Sequence, residues 1–172
     1  ILESLMASSG ETAVVAVLRG DKVIYMDSVE TDRTVRAVSR IGAMLPAYCT
    51  AVGKVQLAQL AAADVERMYP EGELLAVTPK TITSPAVLIA ELKKTLERGY
   101  ALENEETELE VRSIAAPVRD FSKKVIAAVG IVAPASRLTD ERIEKNKIVA
   151  MLIDAGNAIS AKMGCSGPLA KK

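Results

Sequence analysis

Apolar and polar positions along the chain change period several times, and those changes outline its elements. Ile1, Leu2, Leu5 and Met6 recur at helical spacing, so residues 1–8 read as the end of a helix stopped by Gly10. Residues 12–18 and 23–29 read as strands, joined by a tight hairpin turn at Arg19-Gly20-Asp21-Lys22. Residues 35–39 are a candidate short strand. The stretch 45–60 reads as a loop that feeds a helix beginning after Thr50, whose hydroxyl can cap it. A short helix over 63–69 is stopped by Pro70. Ser84-Pro85 opens another helix, with Leu88, Leu92 and Leu96 on one face and Gly99 at its end. Residues 100–107 form a strand running into an acidic loop, and 111–118 with 125–132 make a second hairpin around residues 120–124. Thr139 caps a last helix with Asp140 and Glu141 in its first turn. Its apolar stripe is Ile148, Leu152, Ala155, Ile159 and Met163, and Gly164 ends it. Hairpins imply antiparallel pairing. The predicted class is therefore α/β (α+β), an antiparallel sheet flanked by helices rather than a doubly wound parallel sheet.

Composition narrows the chemistry. A chain of 172 residues with 49% hydrophobic positions suffices for one domain with a full core. Lys plus Arg and Asp plus Glu balance at 22 each, so composition forces no basic face for nucleic acid. One Phe, four Tyr and no Trp give no platform for stacking bases. The absence of His rules out a Ser-His-Asp or Cys-His site and a His-ligated zinc. Cys49 and Cys165 are too few for a disulfide framework or a four-cysteine cage, and suit a reduced, cytoplasmic setting. No cofactor and no metal are expected. The apolar run 125–133 is too short for a bilayer and no signal peptide opens the chain, so no membrane partner is expected. A chain starting at Ile1 reads either as a piece of a longer protein or as a processed product.

The residues after Thr50 carry the candidate chemistry. Ala51, Val52 and Gly53 do little to screen the free N–H groups of the helix start, where the dipole is positive, so a small anion such as a carboxylate is favoured. The same residues also suit a plain cap with tight packing. Lys54 reads as a surface residue. Glu103, Glu105, Glu106, Glu108 and Glu110 form either a metal site or, the preferred reading, a solvated loop. Cys49 is either a thiolate beside a helix start or, preferred, a buried structural thiol, and Cys165 an inert tail residue.

Several segments taken in order resemble one known family. They are the stretch 45–60, Thr78-Pro79-Lys80-Thr81, Glu91-Leu92 with Arg98-Gly99-Tyr100-Ala101, Glu105-Glu106, and Ile114-Ala115-Ala116-Pro117-Val118-Arg119-Asp120 followed by Val125-Ile126-Ala127-Ala128. Across residues 10–163 they resemble the C-terminal effector-binding domain of the IclR family of bacterial transcriptional regulators. The resemblance implies a GAF-like fold, with residues 1–9 as the end of a linker helix, 10–164 as the effector domain and 165–172 as a flexible tail. It further implies a cytoplasmic homodimer or homotetramer that is not an enzyme. DNA would be touched only through a winged helix-turn-helix absent from this chain, and the ligand would be a small carboxylate. Carried over by position, the effector residues are Ala37, Ala51, Val52, Glu103, Val111, Ser113, Gly130 and Val132. Ser113 stands where the family often has Cys, and Gly130 and Val132 where it often has Ser, which points to an aromatic or branched acid. Leu109-Glu110 stands where a Gly is common, implying a reshaped lid. Two rivals stay open: a GAF-like thiol redox enzyme using Cys49, and an oligomerisation scaffold without a ligand.

Overall fold

The computed structural model describes residues 1–38, 41–70, 72, 74–145 and 147–166. In chain order the elements are α1 (Leu2–Ser9), β1 (Thr12–Arg19), β2 (Lys22–Val29), β3 (Met44–Pro46), a 3₁₀ turn (Ala47–Cys49), α2 (Ala51–Leu57), α3 (Ala62–Met68) and α4 (Pro85–Arg98). They continue with β4 (Ala101–Asn104), β5 (Val111–Arg119), β6 (Val125–Pro134), α5 (Asp140–Lys145) and α6 (Ile148–Lys162). Among the described residues the strands form one antiparallel sheet in the order β3-β2-β1-β6-β5-β4. This is the expected GAF-like arrangement.

Strand alternation divides the apolar residues between two cores. On one face Val14, Ala16, Ala101, Ala115 and Ala128 meet α2, α4 and the 3₁₀ turn. On the other, Ile114, Ala116, Val129 and Ile131 meet α1, α5 and α6. Register makes the first face legible as rows. One row is Thr12, Val132, Ser113 and Glu103, and the next is Val14, Gly130, Ala115 and Ala101. The second row is nearly all small residues, so α2 settles close upon it. A Cβ at Gly130 would lie 3.0 Å from Val52 Cγ1.

Several expectations need correction. Residues 35–38 are loop, with Val35 and Val38 exposed, and residue 39 lies outside the described residues. The third strand is β3, which pairs with residues 22–24 of β2. The loop is instead held over the sheet by Thr12 Oγ1, which donates to the Ala37 carbonyl at 2.7 Å. Ser84 precedes α4 without a side-chain capping bond, and Leu96 is exposed while Leu88 and Leu92 are buried. A 3.6-residue turn drifts round the helix over successive i+4 steps, so the third leucine leaves the core. The last helix is broken: α5 ends before Lys147, which sits at φ +58°, and α6 starts after it. Thr139 caps the shorter piece, accepting from Arg142 N at 3.2 Å. Met163 lies past α6 and is exposed. Of the expected tail, residues 167–172 lie outside the described residues.

A buried carboxylate ties the chain's start to its end. Glu11, fully buried, accepts from Arg137 Nε and Nη2 at 2.8 and 2.7 Å and from Arg142 Nη1 at 2.8 Å. Burial pushes its pKa up, but the bonds and charges of both arginines outweigh burial and leave it below the ordinary value. Such a group adds stability above the unfolded carboxylate pKa of about 4.3 and loses it as pH falls through the lower folded value. Glu11→Gln is expected to cost about 2–3 kcal/mol in urea denaturation at pH 7. That is below the loss for a fully dry pair because the arginines keep some solvent. The deficit should shrink as pH is lowered from 5 to 3.

Candidate functional site

The row Thr12-Val132-Ser113-Glu103 is left bare by α2, and a cavity of about 580 Å³ lies beside it. Ser113, Glu103, Val111 and Val132 come from the sheet. Tyr25 and Leu45 enter from β2 and β3, and Thr50 from the start of α2. Arg36, Ala37, Val38 and Ala43 come from the loop over β1, and Thr107 and Glu108 from the acidic loop. The walls mix apolar side chains with six polar or charged ones, a combination that a small molecule with both apolar and polar parts would match.

Thr50 caps α2 as expected, its Oγ1 accepting from Gly53 N at 3.0 Å. Gly53 is required there, since a Cβ would fall 2.2 Å from the Ala47 carbonyl oxygen. Of the residues expected to hold a ligand, Ala37, Glu103, Val111, Ser113 and Val132 line the cavity. Ala51, Val52 and Gly130 are not among its lining residues. Ala51 and Val52 pack in the core, and Gly130 is where Val52 rests on the sheet.

Glu103 is the most constrained polar group in the cavity. Its Oε1 accepts from Glu106 N at 2.7 Å, Thr107 N at 3.2 Å and Thr107 Oγ1 at 3.3 Å. Its Oε2 accepts from Ser113 Oγ at 2.9 Å. Burial pushes the Glu103 pKa up, and the bonds from Ser113, Thr107 and Glu106 only partly offset it.

The acidic stretch is therefore not the solvated loop that was expected, because Glu103 and Glu106 are buried. No cluster of potential metal ligands occurs among the described residues. Lys54 is not a surface residue either: it is 1% exposed, and its Nζ meets Glu106 Oε1 at 2.5 Å and the Leu102 carbonyl at 3.2 Å. Burial raises the Glu106 pKa against the pull of Lys54, and Glu106 Oε2 has no partner among the described residues. Glu110 adopts φ +65°, and its N–H donates to Glu105 Oε2 at 3.0 Å. The Cys49 thiol is buried, as preferred. Burial first, then the nearby Glu106 and Glu103, push its pKa up to about 12. It is thus poorly suited to nucleophilic thiol chemistry.

Tyr25, Thr107, Arg36 and Leu45 were not anticipated. Tyr25 faces the cavity on the same side of β2 as the buried Val23, just before the point where β2 carries one extra residue, Met26, opposite Val15 and Ala16.

The family model described as "Bacterial transcriptional regulator IclR C-terminal" matches residues 1–161, and the chain belongs to this family. It is 36% identical over 143 residues to the HTH-type transcriptional regulator BhcR of Paracoccus denitrificans, covering 83% of this chain and 51% of the relative. It resembles the crystal structure of the C-terminal domain of the Escherichia coli transcriptional regulator KdgR, with a TM-score of 0.83 and 35% identity. That match covers 95% of this chain and 93% of that one. The inducer-binding domain of a PobR double mutant from Acinetobacter, complexed with 3-hydroxybenzoic acid, matches with a TM-score of 0.81 and 27% identity. It covers 92% of this chain and 93% of that one. The chain spans roughly half to two-thirds of the length of the curated relatives it matches, from 51% of BhcR to 64% of the E. coli regulator XynR. No helix among the described residues is long and apolar enough to cross a membrane.

Lys54→Met should leave Glu106 buried without its cation and cost about 3–5 kcal/mol in urea denaturation at pH 7. Adding Glu106→Gln should restore much of that loss. Acidification should also narrow the deficit of the single variant, because Glu106 then takes up a proton.

Proposed function

We propose that this chain is the effector-binding and oligomerisation module of a cytoplasmic transcriptional regulator. Its ligand is a small organic acid with an aromatic or branched body. The observation that carries this reading is the cavity over Ser113 and Glu103, polar at a few points and walled by Val111, Val132, Leu45 and Ala37. Its volume of about 580 Å³ lies in the range of small-ligand sites. The related PobR domain in complex with 3-hydroxybenzoic acid supports the same class of ligand.

In this reading Ala37, Val111, Ser113, Val132 and Glu103 surround the ligand. Ala51 and Val52 pack α2 on the sheet so that Thr50 stands at the cavity wall, and Gly130 seats the helix that carries them. Ligand binding favours one arrangement of subunits in a homodimer or homotetramer. α1 passes that bias to a DNA-binding domain outside this chain. A coupling of about 1–3 kcal/mol changes operator affinity roughly 5–150-fold, provided the ligand binds the two arrangements unequally. The redox alternative is disfavoured by the un-ionised, buried Cys49.

Isothermal calorimetry against a panel of carboxylic acids, including benzoate, 3-hydroxybenzoate, isovalerate and pyruvate, tests the reading. At least one acid should bind with micromolar affinity and raise the melting temperature. A folded protein that binds none of them, with an unchanged oligomer in sedimentation, would favour a ligand-free scaffold.

A further inference from the structure

We infer that residues 30–38 form a strap through which the state of the cavity reaches α1, by way of the bond from Arg33 to the Gly10 carbonyl. This rests on the effector reading above and gives that reading a route of regulation. The strap follows β2 and belongs to neither apolar core: none of its residues joins either cluster, and Val35 and Val38 are 67% and 63% exposed. Among the described residues, 31–38 make no backbone–backbone hydrogen bond, and four side-chain bonds hold the strap instead. Arg36 Nε donates to Glu30 Oε2 at 2.8 Å and its Nη1 to the Arg33 carbonyl at 3.4 Å, which folds the strap on itself. Thr12 Oγ1 donates to the Ala37 carbonyl at 2.7 Å and Arg33 Nε to the Gly10 carbonyl at 3.0 Å, which pin it to the rest of the fold. A segment with so few buried apolar contacts opens at low free energy.

Both pins fall at the junction of α1 and β1. Gly10 takes Arg33 of the strap, Glu11 takes Arg137 and Arg142, and Thr12 takes Ala37 of the strap. The end of α1 therefore lies between two arginines. Arg142 Nη2 donates to the Ser9 carbonyl while its Nη1 is fixed by Glu11, so that side is rigid. Arg33 is exposed and comes from the loosely held strap, so the other side is labile. Gly10 closes α1 at φ +69°, and a Cβ there would lie 3.3 Å from Arg33 Nη2, so the guanidinium rests directly over the helix end. The same strap sets Arg36, Ala37 and Val38 in the cavity wall. One short segment thus touches the cavity at residues 36–38 and α1 at residue 33, with the bond from Arg36 to the Arg33 carbonyl between them. A molecule seated against residues 36–38 holds the strap closed, and the closed strap keeps Arg33 on α1. When the strap opens, the last turn of α1 loses that arginine and frays on one side. The coupling is an equilibrium, so it runs equally from α1 to the cavity.

Hydrogen-exchange mass spectrometry of the ligand-free protein tests this, with the amides of the core strand β5 as internal reference. Arg33→Ala should speed exchange at residues 7–10 about fivefold, the effect of losing one net hydrogen bond. Arg36 makes no hydrogen bond to α1 among the described residues, yet Arg36→Ala should speed the same amides about threefold by loosening the strap. In the Arg33→Ala background, Arg36→Ala should add nothing at α1, because the link is already broken. Both side chains are exposed, so neither substitution should disturb β5. An α1 that Arg36→Ala leaves unchanged overturns the inference, and so does an α1 response that persists in full without Arg33. Neither result needs a ligand, so failure of every acid to bind, which removes the effector reading, is seen separately in the calorimetry.

Discussion

The seating of α2 on the sheet is the contact from which the rest follows. Rows of alanine and glycine under the helix let Val52 reach within touching distance of β6, and Gly53 lets the helix start lie against the 3₁₀ turn. A side chain at either glycine would lift the helix, and interiors packed to crystal density do not absorb such a shift cheaply. Because α2 is only seven residues long, it covers the small rows and stops at Thr50. The row beyond carries Ser113 and Glu103, and it has no helix over it. The cavity beside it is walled by loop residues as well, Arg36, Ala37, Val38 and Ala43 on one side and Thr107 and Glu108 on the other.

Two buried carboxylates, Glu103 at the cavity wall and Glu106 beside it in the chain, are stabilised differently. Glu106 is paired with Lys54 beneath the acidic loop, so α2 and the loop are joined by charge as well as by packing. Among the described residues Glu103 pairs with no cation and relies on four hydrogen bonds, which also fix the path of residues 106 and 107. Thr81 Oγ1 donates to the Glu106 carbonyl at 2.7 Å and Thr78 Oγ1 to that of Glu105 at 2.7 Å, so the preceding loop is tied to the same point. A group that binds Glu103 thus touches a junction of three segments. That is the kind of place where a small ligand can bias the arrangement of a larger assembly.

Membership of the IclR family was legible in the ordered motifs, and the antiparallel class in the two hairpins. The helix starting after Thr50 was legible too, because capping is a local interaction between neighbours in sequence. Less could be read of the cavity. Glu103 and Ser113 were anticipated, but not that one would be bonded to the other across paired strands. Lys54 looked like a surface residue because a lone lysine carries no sign of its partner, which lies 52 positions away. Tyr25 escaped notice because alternation along β2 gives its face but not which loops leave space over it.

The sequence by itself determined the two hairpins, the helix starts at Thr50 and Pro85, and where the left-handed glycines at 10, 99 and 164 end helices. All of these depend on neighbouring residues and their backbone preferences. Only the tertiary structure decided which carboxylates are buried, which residues share a row, and that the loop over β1 closes one side of the cavity. These depend on strand register and on desolvation by distant segments, and no short window of sequence encodes either.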